Sequence, residues 1–489
     1  MKTNILIFIL LLSVVRYTAA QEKKKFKKRV LENTEIDLLT SFYAQNGSNA
    51  AVTGGIGSEE LKDFANDINI SIPINADDVL SINATVSAYS SASSSNLNPF
   101  SGASKGGDDD EDEEDDDDYR SVNDDDNINQ IAGSPWIVSS GASKSDVWLN
   151  LNMSYAHSSN DRNKIYNAHL SIANEFDYFS LGGGIGFTKL FNKKNTEISI
   201  GTIVYLDHWR PQYPTEIKTY IKNNGNLNAD YFNGISILDQ NGNVTNKNGL
   251  NTWRPVSDGL IKDKGRNTYA VSLSFSQILS KKLQMSVFAD ITYQNGWLAN
   301  PMQRVYFADR PNYYIGNPNN IKTYTQTSNT ETFQLADDYE RLPTNRLKFP
   351  IGTRLHYYIN ERLVLRTYYR FYADDWGIQS HTIQITLPVK VSEKFTLYPN
   401  YRFYNQTAAD YFAPYEEHLS TQTFYTSDYD LSAFSANQFG LGVKYTDIFT
   451  KIKLWKFGIK TIHLDFNHYN RTTGLSANII SLGVKMIGN

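Results

Sequence analysis

The chain has 489 residues, a formal net charge of −5 and 40 % hydrophobic residues, with 32 Tyr and 25 Phe. Cysteine is absent, which excludes disulfides, thiolate metal sites and cysteine nucleophiles. Nothing in the charge balance calls for a nucleic-acid partner. After residue 20 no apolar run is long enough for a membrane-spanning helix, but strands cross on a weaker signal because half their residues face water.

In chain order, residues 1–20 read as a secretory leader: Lys2, the apolar run Ile5–Val15, and Thr18-Ala19-Ala20 as a small-residue cleavage site. No Cys follows that site, so a lipoprotein leader is excluded. Residues 21–34, including the basic run Lys23–Lys28, read as a solvated periplasmic tail. Residues 35–489 read as one domain. Gly54-Gly55-Ile56-Gly57 lacks a following Walker lysine and reads as a structural turn rather than a phosphate loop.

Period-two alternation marks strands at Glu35–Tyr43, Asn66–Ile74, Val79–Tyr89, Asp146–Ala156, Ile165–Asn174, Tyr178–Leu190 and Thr196–His208. More follow at Asn267–Leu279, Leu283–Gly296, Asn437–Tyr445, Phe457–His468 and Leu475–Met486. Between them, Arg346–Tyr404 carries four strand-length runs. In Leu363–Tyr372 one face is Leu363, Leu365, Thr367, Tyr369, Phe371 and the other Val364, Arg366, Tyr368, Arg370, Tyr372. Two mid-strand arginines opposite an apolar face are costly in a closed apolar core but ordinary in a barrel with a greasy outside and a wet lumen.

The connections sort by length. Every second one is short, as at Asn75–Asp78, Phe191–Asn195, Ser280–Lys282 and Ile359–Glu361. All the long ones, Ala44–Ala65, Ser90–Ser145, Trp209–Arg266, Trp297–Asn345 and Asn405–Ala436, fall in the alternate set. A sandwich has no reason to sort its loops this way. The fold expected is therefore all-β: an antiparallel transmembrane β-barrel of roughly sixteen strands with short periplasmic turns and long extracellular loops. The terminal residues Ile487-Gly488-Asn489 lack the final aromatic that many such barrels carry.

Several stretches resemble the Gram-negative outer-membrane barrel family catalogued as domain-of-unknown-function family 3570. They include Val52-Thr53-Gly54-Gly55-Ile56-Gly57, Pro301-Met302-Gln303-Arg304-Val305-Tyr306-Phe307, Asp375-Trp376-Gly377-Ile378 and Tyr425-Thr426-Ser427-Asp428-Tyr429-Asp430. The resemblance spans almost the whole mature chain and implies an outer-membrane location with no established activity. The acidic segment 91–145 stands as an insertion in an extracellular loop. The lipid of that membrane and the barrel-assembly machinery are the partners such a location implies, with periplasmic proteins as further candidates.

Three stretches could carry chemistry. The acidic run Asp108–Asp118, with Asp108, Asp109, Asp110, Asp115, Asp116, Asp117 and Asp118 at its ends, attracts hard cations such as Ca²⁺ loosely. It lacks the interleaved glycine and ligand spacing of a calcium loop, and no other cofactor is indicated. Arg354, Arg366, Arg370 and Arg402, with His356 and Asp290, are expected to face the lumen. They would form either an anion-attracting constriction or an Arg–Tyr–carboxylate lattice that rigidifies the barrel. The aromatic and acidic loops offer Tyr425, Asp428, Tyr429 and Asp430 as loop-binding candidates. Long loops of this kind also fold inward to narrow a pore.

The first functional expectation is a pore or passage component for a small polar solute or an exported periplasmic product. The alternative is a non-conducting scaffold whose loops engage a partner. A barrel-borne hydrolase, drawing on Asp374, Asp375, Asp410, His381 and His418, is the third reading, and no specific spacing supports it.

Overall fold

Strands that alternate polar and apolar, each paired to its neighbours in sequence, leave one pair of free edges, and closing the sheet removes them. The chain takes that solution. The computed structural model describes residues 28–91, 134–136, 147–175, 177–257, 259–261 and 265–488. The leader and the acidic run lie outside them.

The wall strands are β1 (Glu35–Asn46), β2 (Leu61–Pro73), β3 (Asp78–Ser91), β4 (Val147–Ser158), β5 (Lys164–Glu175), β6 (Tyr178–Phe191), β7 (Thr196–Trp209) and β8 (Gly265–Ser280). The second half comprises β9 (Leu283–Gly296), β10 (Asn345–Asn360), β11 (Leu363–Asp374), β12 (Gln379–Thr386), β13 (Phe395–Gln406), β14 (Phe434–Thr446), β15 (Phe457–Arg471) and β16 (Ser476–Gly488). All pair antiparallel in sequence order. The last closes on the first, from Glu35↔Ile487 to Asn46↔Ser476. The barrel therefore has sixteen strands; two further two-residue segments of its sheet, Val389–Lys390 and Lys453–Leu454, only extend neighbouring ladders.

The alternation located the wall well, with one clear displacement. β2 starts at Leu61 rather than Asn66, because Leu61–Ala65 continue the ladder opposite Ser41–Gln45. The polar Lys62 and Asp63 hide that continuation in the sequence. The run at Gln379–Lys390 is interrupted at Leu387-Pro388, where the proline, which cannot donate to a ladder, instead accepts from Val364 N at 3.2 Å.

Outward positions form an apolar belt. Leu149, Leu151 and Met153 on β4 pair with outward residues of β5, and Ile198, Ile200, Val204 and Leu206 on β7 continue the same surface. Similar exposed residues follow on β8, β12, β14, β15 and β16, such as Leu273, Ile383, Leu441, Phe466 and Leu482. A contiguous belt of this extent far exceeds the apolar patches of water-soluble monomers.

Inward positions are polar or small. Where a bulky inward side chain meets a neighbouring strand, glycine makes the room. A Cβ on Gly352 would lie 2.6 Å from the carbonyl oxygen of Tyr369 and would strike the ring of Phe288. Gly54, Gly55 and Gly57 take φ of 77°, 92° and 105° beside the short 3-10 turn Ala51–Thr53, so the glycine-rich stretch is a turn that only glycine adopts without strain.

At the long-loop end, segments 47–60, 210–257, 297–344 and 407–433 pack into a cap. Its core holds Ile217 from helix α1 (Thr215–Lys222), with Phe232, Trp253, Tyr306, Phe333 and Leu335, all essentially inaccessible to solvent. Residues 134–136 join it, where Ser58 N donates to Pro135 O at 2.8 Å and Ser134 Oγ to Asn329 O at 3.0 Å.

Candidate functional site

The register decides which side chains meet inside the wall. Arg354 pairs with Ser286 and Tyr368, Arg366 with His356 and Thr386, Arg370 with Gly352 and Thr382, and Arg402 with Gln384 and Gln438. All four arginines therefore share the inward face. Arg354 stacks on aromatic rings, its guanidinium 4.9 Å from the Phe288 centroid and 5.6 Å from that of Tyr368. Those rings are themselves stacked 5.8 Å apart. Arg354, Arg366 and His356 are exposed within the barrel, so water reaches this part of the lumen. Asp290 projects from β9 between the pairings Phe288↔Gly352 and Thr292↔Lys348.

Following direct partners sideways gives Arg354, Tyr368, Gln384, Arg402, Gln438, Tyr469, Ala477, Gln45 and Leu61. Because barrel strands tilt against the axis, this row climbs from mid-wall on β10 to the rim at β15. It ends in a cavity of about 500 Å³ between the inner wall and the underside of the cap. The wall contributes Tyr43, Gln438, Tyr469 and Arg471, and the cap contributes Glu59, Gln303, Asp428 and Asp430. A cavity of similar size, about 510 Å³, is lined only by residues 228–248 of the cap and touches no wall strand.

Two of the loop candidates, Asp428 and Asp430, thus line the mouth cavity together with a wall arginine. Arg471 Nη2 donates to Asp430 Oδ1 at 2.7 Å, and its guanidinium lies 4.2 Å from the Phe434 ring centroid. Gln303 Nε2 donates to Asp428 Oδ2 at 3.1 Å, and Asp428 Oδ1 accepts from Asp430 N at 2.9 Å. Burial, reinforced by the neighbouring Asp430, pushes the Asp428 carboxyl up to about 6. Burial also raises Glu59. Tyr425 is a different case. It is 2 % exposed, and its hydroxyl donates to Asp338 Oδ2 at 2.6 Å. Tyr429 sets its ring edge-on to Phe412 at 5.2 Å. Both stabilise the cap.

The residues that sequence reasoning missed are the buried ionisable groups holding the cap together. Arg304 Nε and Nη2 donate to Glu216 Oε1 and Oε2 at 2.7 and 3.0 Å, both side chains being wholly inaccessible. Arg304 Nη1 also donates to Val52 O at 3.2 Å. One side chain thereby ties three loops. Glu340 accepts from Asn300 N and from Thr426 Oγ1, each at 2.5 Å, joining 297–344 to 407–433. Its burial, with the Asp428 charge adding to it, pushes the carboxyl up to about 8. Asp337 is raised to about 6 by burial. Only the placement of such charges in aromatic-rich loops could have signalled this.

The carboxylates of the hydrolase reading, Asp374, Asp375 and Asp410, gather near Tyr411, but its two histidines bond to other groups. His381 sits on the outer face of β12, 2.9 Å from Tyr369 Oη. His418 is buried in the cap, bonded to Gln422 Oε1 at 3.0 Å and Thr426 O at 2.9 Å. Asp374 is engaged by Arg346 and by the Tyr372 hydroxyl. Among the described residues no group of three or more metal-ligating side chains occurs.

The family described as "Protein of unknown function (DUF3570)" matches residues 8–477. The chain belongs to that family. No curated protein matches it. Among solved structures, the DUF3570 barrel is similar to a bacterial polysaccharide outer membrane secretin at 7 % identity, covering 94 % of this chain and 98 % of that one with a TM-score of 0.40. It is also similar to the TodX monoaromatic hydrocarbon channel (9 % identity, 94 % and 91 % covered, TM-score 0.37) and to a Pseudomonas aeruginosa FadL homologue (9 % identity, 93 % and 90 % covered, TM-score 0.36).

Proposed function

We propose that the chain is an outer-membrane barrel of a Gram-negative bacterium that provides a passage for a small polar solute or an exported periplasmic product. One observation carries this reading: a closed wall with an apolar belt outside and a water-exposed, arginine-bearing row inside. Each belt Leu or Ile left in water would forgo roughly 1.5–3 kcal/mol, so the belt calls for lipid. The basic row gives the lumen a preference for anionic or zwitterionic solutes. The start of β1 and the end of β16 lie at the short-turn end, which in this orientation is periplasmic.

The buried Arg304–Glu216 tie favours a second reading, in which the cap holds the barrel closed and presents a surface to a partner. Single-channel conductance of the refolded protein in a planar bilayer separates the two. A steady conductance whose anion preference weakens in Arg366→Ala/Arg370→Ala supports passage. A folded, heat-modifiable barrel that carries no current refutes an open passage and leaves the scaffold.

A further inference from the structure

The charged side chains of the inner wall are sorted around the barrel. Arg354, Arg366, Arg370 and Arg402, on β10, β11 and β13, make no ion pair among the described residues. Neither does Lys444, which faces inward on β14 beside the outward Val443. Arg266, Lys485 and Arg471 also face inward, but each is neutralised locally, by Asp207 at 3.2 Å, Glu35 at 2.6 Å and Asp430 at 2.7 Å. Uncompensated positive charge thus gathers on the arc β10–β14. Asp63 and Asp67 face inward on β2, whose alternate residues Phe64 and Ile68 belong to the outer belt. Their partners are neutral: Ser87 Oγ donates to Asp63, while Asn83 Nδ2 and Thr85 Oγ1 donate to Asp67 Oδ2 at 2.8 and 2.7 Å.

In a ring of sixteen strands β2 stands eight places from β10, on the opposite wall. The levels correspond as well. Asp67 lies six residues above the short-turn end of β2 at Pro73, and Arg354 six above that of β10 at Asn360. Arg370 and Arg402 lie seven above the short-turn ends of β11 and β13, at Leu363 and Phe395. Strands of one barrel share one tilt, so carboxylates and guanidinium groups face each other across the bore. A wet passage between low-dielectric walls focuses the field of such charges.

We propose that the lumen selects small dipolar ions, which cross with the anionic end towards β10–β14 and the cationic end towards β2. Such a solute is attracted by both walls, whereas a simple anion or cation is attracted by one and repelled by the other. The proposal deepens the passage reading and rests on it for transport, but the division of charge is measurable without any flux.

The chain lacks cysteine, so a single introduced thiol reports its own surroundings. Ala65→Cys places one between Asp63 and Asp67 on the inner face of β2, and Gln384→Cys places one beside Tyr368 and Arg402. Each full mature chain is refolded in detergent and confirmed as folded by heat-modifiable migration. Relative to free cysteine, the thiol on β2 should favour 2-trimethylammonioethyl methanethiosulfonate over its 2-sulfonatoethyl counterpart at least tenfold. The thiol on β12 should show the reverse preference. Asp63→Asn/Asp67→Asn should abolish the cationic preference on β2. In proteoliposomes of the unaltered chain, taurine should enter at least threefold faster than isethionate, in which a hydroxyl replaces the ammonium, and the same double variant should remove that advantage. Reagent preferences of the same sign at both thiols overturn the divided lumen. Isethionate entering as fast as taurine overturns the selection of dipolar ions and leaves passage standing. Opposite reagent preferences with neither solute entering keep the divided lumen and refute passage, and the selection with it.

Discussion

Arg304→Met removes the cation of a pair whose two side chains are both fully inaccessible. It leaves Glu216 charged in a core lined by Ile217, Phe232 and Phe333. Breaking a buried pair from one side costs about 3–5 kcal/mol, mainly because the abandoned charge is desolvated without compensation. Loss of the bond to Val52 O and of the guanidinium packing 4.8 Å from the Phe333 centroid adds to the same effect. The wall does not depend on this pair, so the damage should be confined to the cap. Since every 1.4 kcal/mol is tenfold, the open-cap population should rise about 100- to 4,000-fold. Native-state proteolysis of the refolded barrel reads that population when opening is fast relative to cleavage. Cuts within 210–264 and 297–344 should accelerate accordingly while heat-modifiable migration of the wall persists. The double variant Arg304→Met/Glu216→Leu, which buries no charge, should recover most of the loss. Acceleration below about threefold in the single variant, or a double variant as labile as the single, would refute the claim that this pair organises the cap.

Glu340 gives the cap a pH dependence whose sign follows from its carboxyl, raised from an ordinary 4.5 to about 8. Between those values the folded cap binds more protons than the unfolded one, so stability is greatest below about 4.5 and falls as pH rises towards 8, by at most about 1.4 kcal/mol per pH unit. Asp337 and Asp428, each raised to about 6, act in the same direction at the acid end. Proteolysis of the cap should therefore be faster at pH 8 than at pH 6, and Glu340→Gln should flatten that difference; an unchanged slope in the variant would contradict the assignment. Tyr425→Phe deletes the 2.6 Å bond to Asp338 while Arg341 still holds that carboxylate at 3.0 Å. It should cost about 1–3 kcal/mol and speed cap proteolysis. Proteolysis no faster than in the unaltered chain would refute a stabilising role for this bond.

The wall was legible because a barrel repeats one rule at every residue. Leu363–Tyr372 announces its two faces by alternation, and the sorted loop lengths announce which end is which. Register could be inferred only loosely, so the sequence grouped Arg354, Arg366, Arg370 and Arg402 on one face without telling that the row through Arg402 continues to Gln438 and the mouth. Phe288 illustrates the limit: its inward ring breaks the alternation of β9 and makes sense only against Gly352 and Arg354 on the next strand. The cap was not legible. Its packing joins Ile217, Trp253 and Phe333 from loops with no periodicity, and no local pattern shows that Glu216 and Arg304, 88 residues apart, meet. Tyr425, Asp428, Tyr429 and Asp430 were visible as a cluster of suitable residue types. Their place in the lining of the mouth cavity, which a sequence does not display, separates Asp428 and Asp430 from the other two.

The cap also constrains the order in which the chain can assemble. Arg304 and the Val52 carbonyl lie 252 residues apart, and closing a loop of that length in a disordered chain costs about 5 kcal/mol of chain entropy. The finished wall has already brought the two loop bases to the same rim, so the cost has been met by ladder pairing before the cap forms. The Arg304–Val52 tie therefore follows circumferential closure of β16 on β1. The aromatic core around Trp253, drawn from the two connections that flank β8 and β9, can gather earlier between neighbouring loops, and the tie to Val52 is the contact by which the cap registers that the circle is complete.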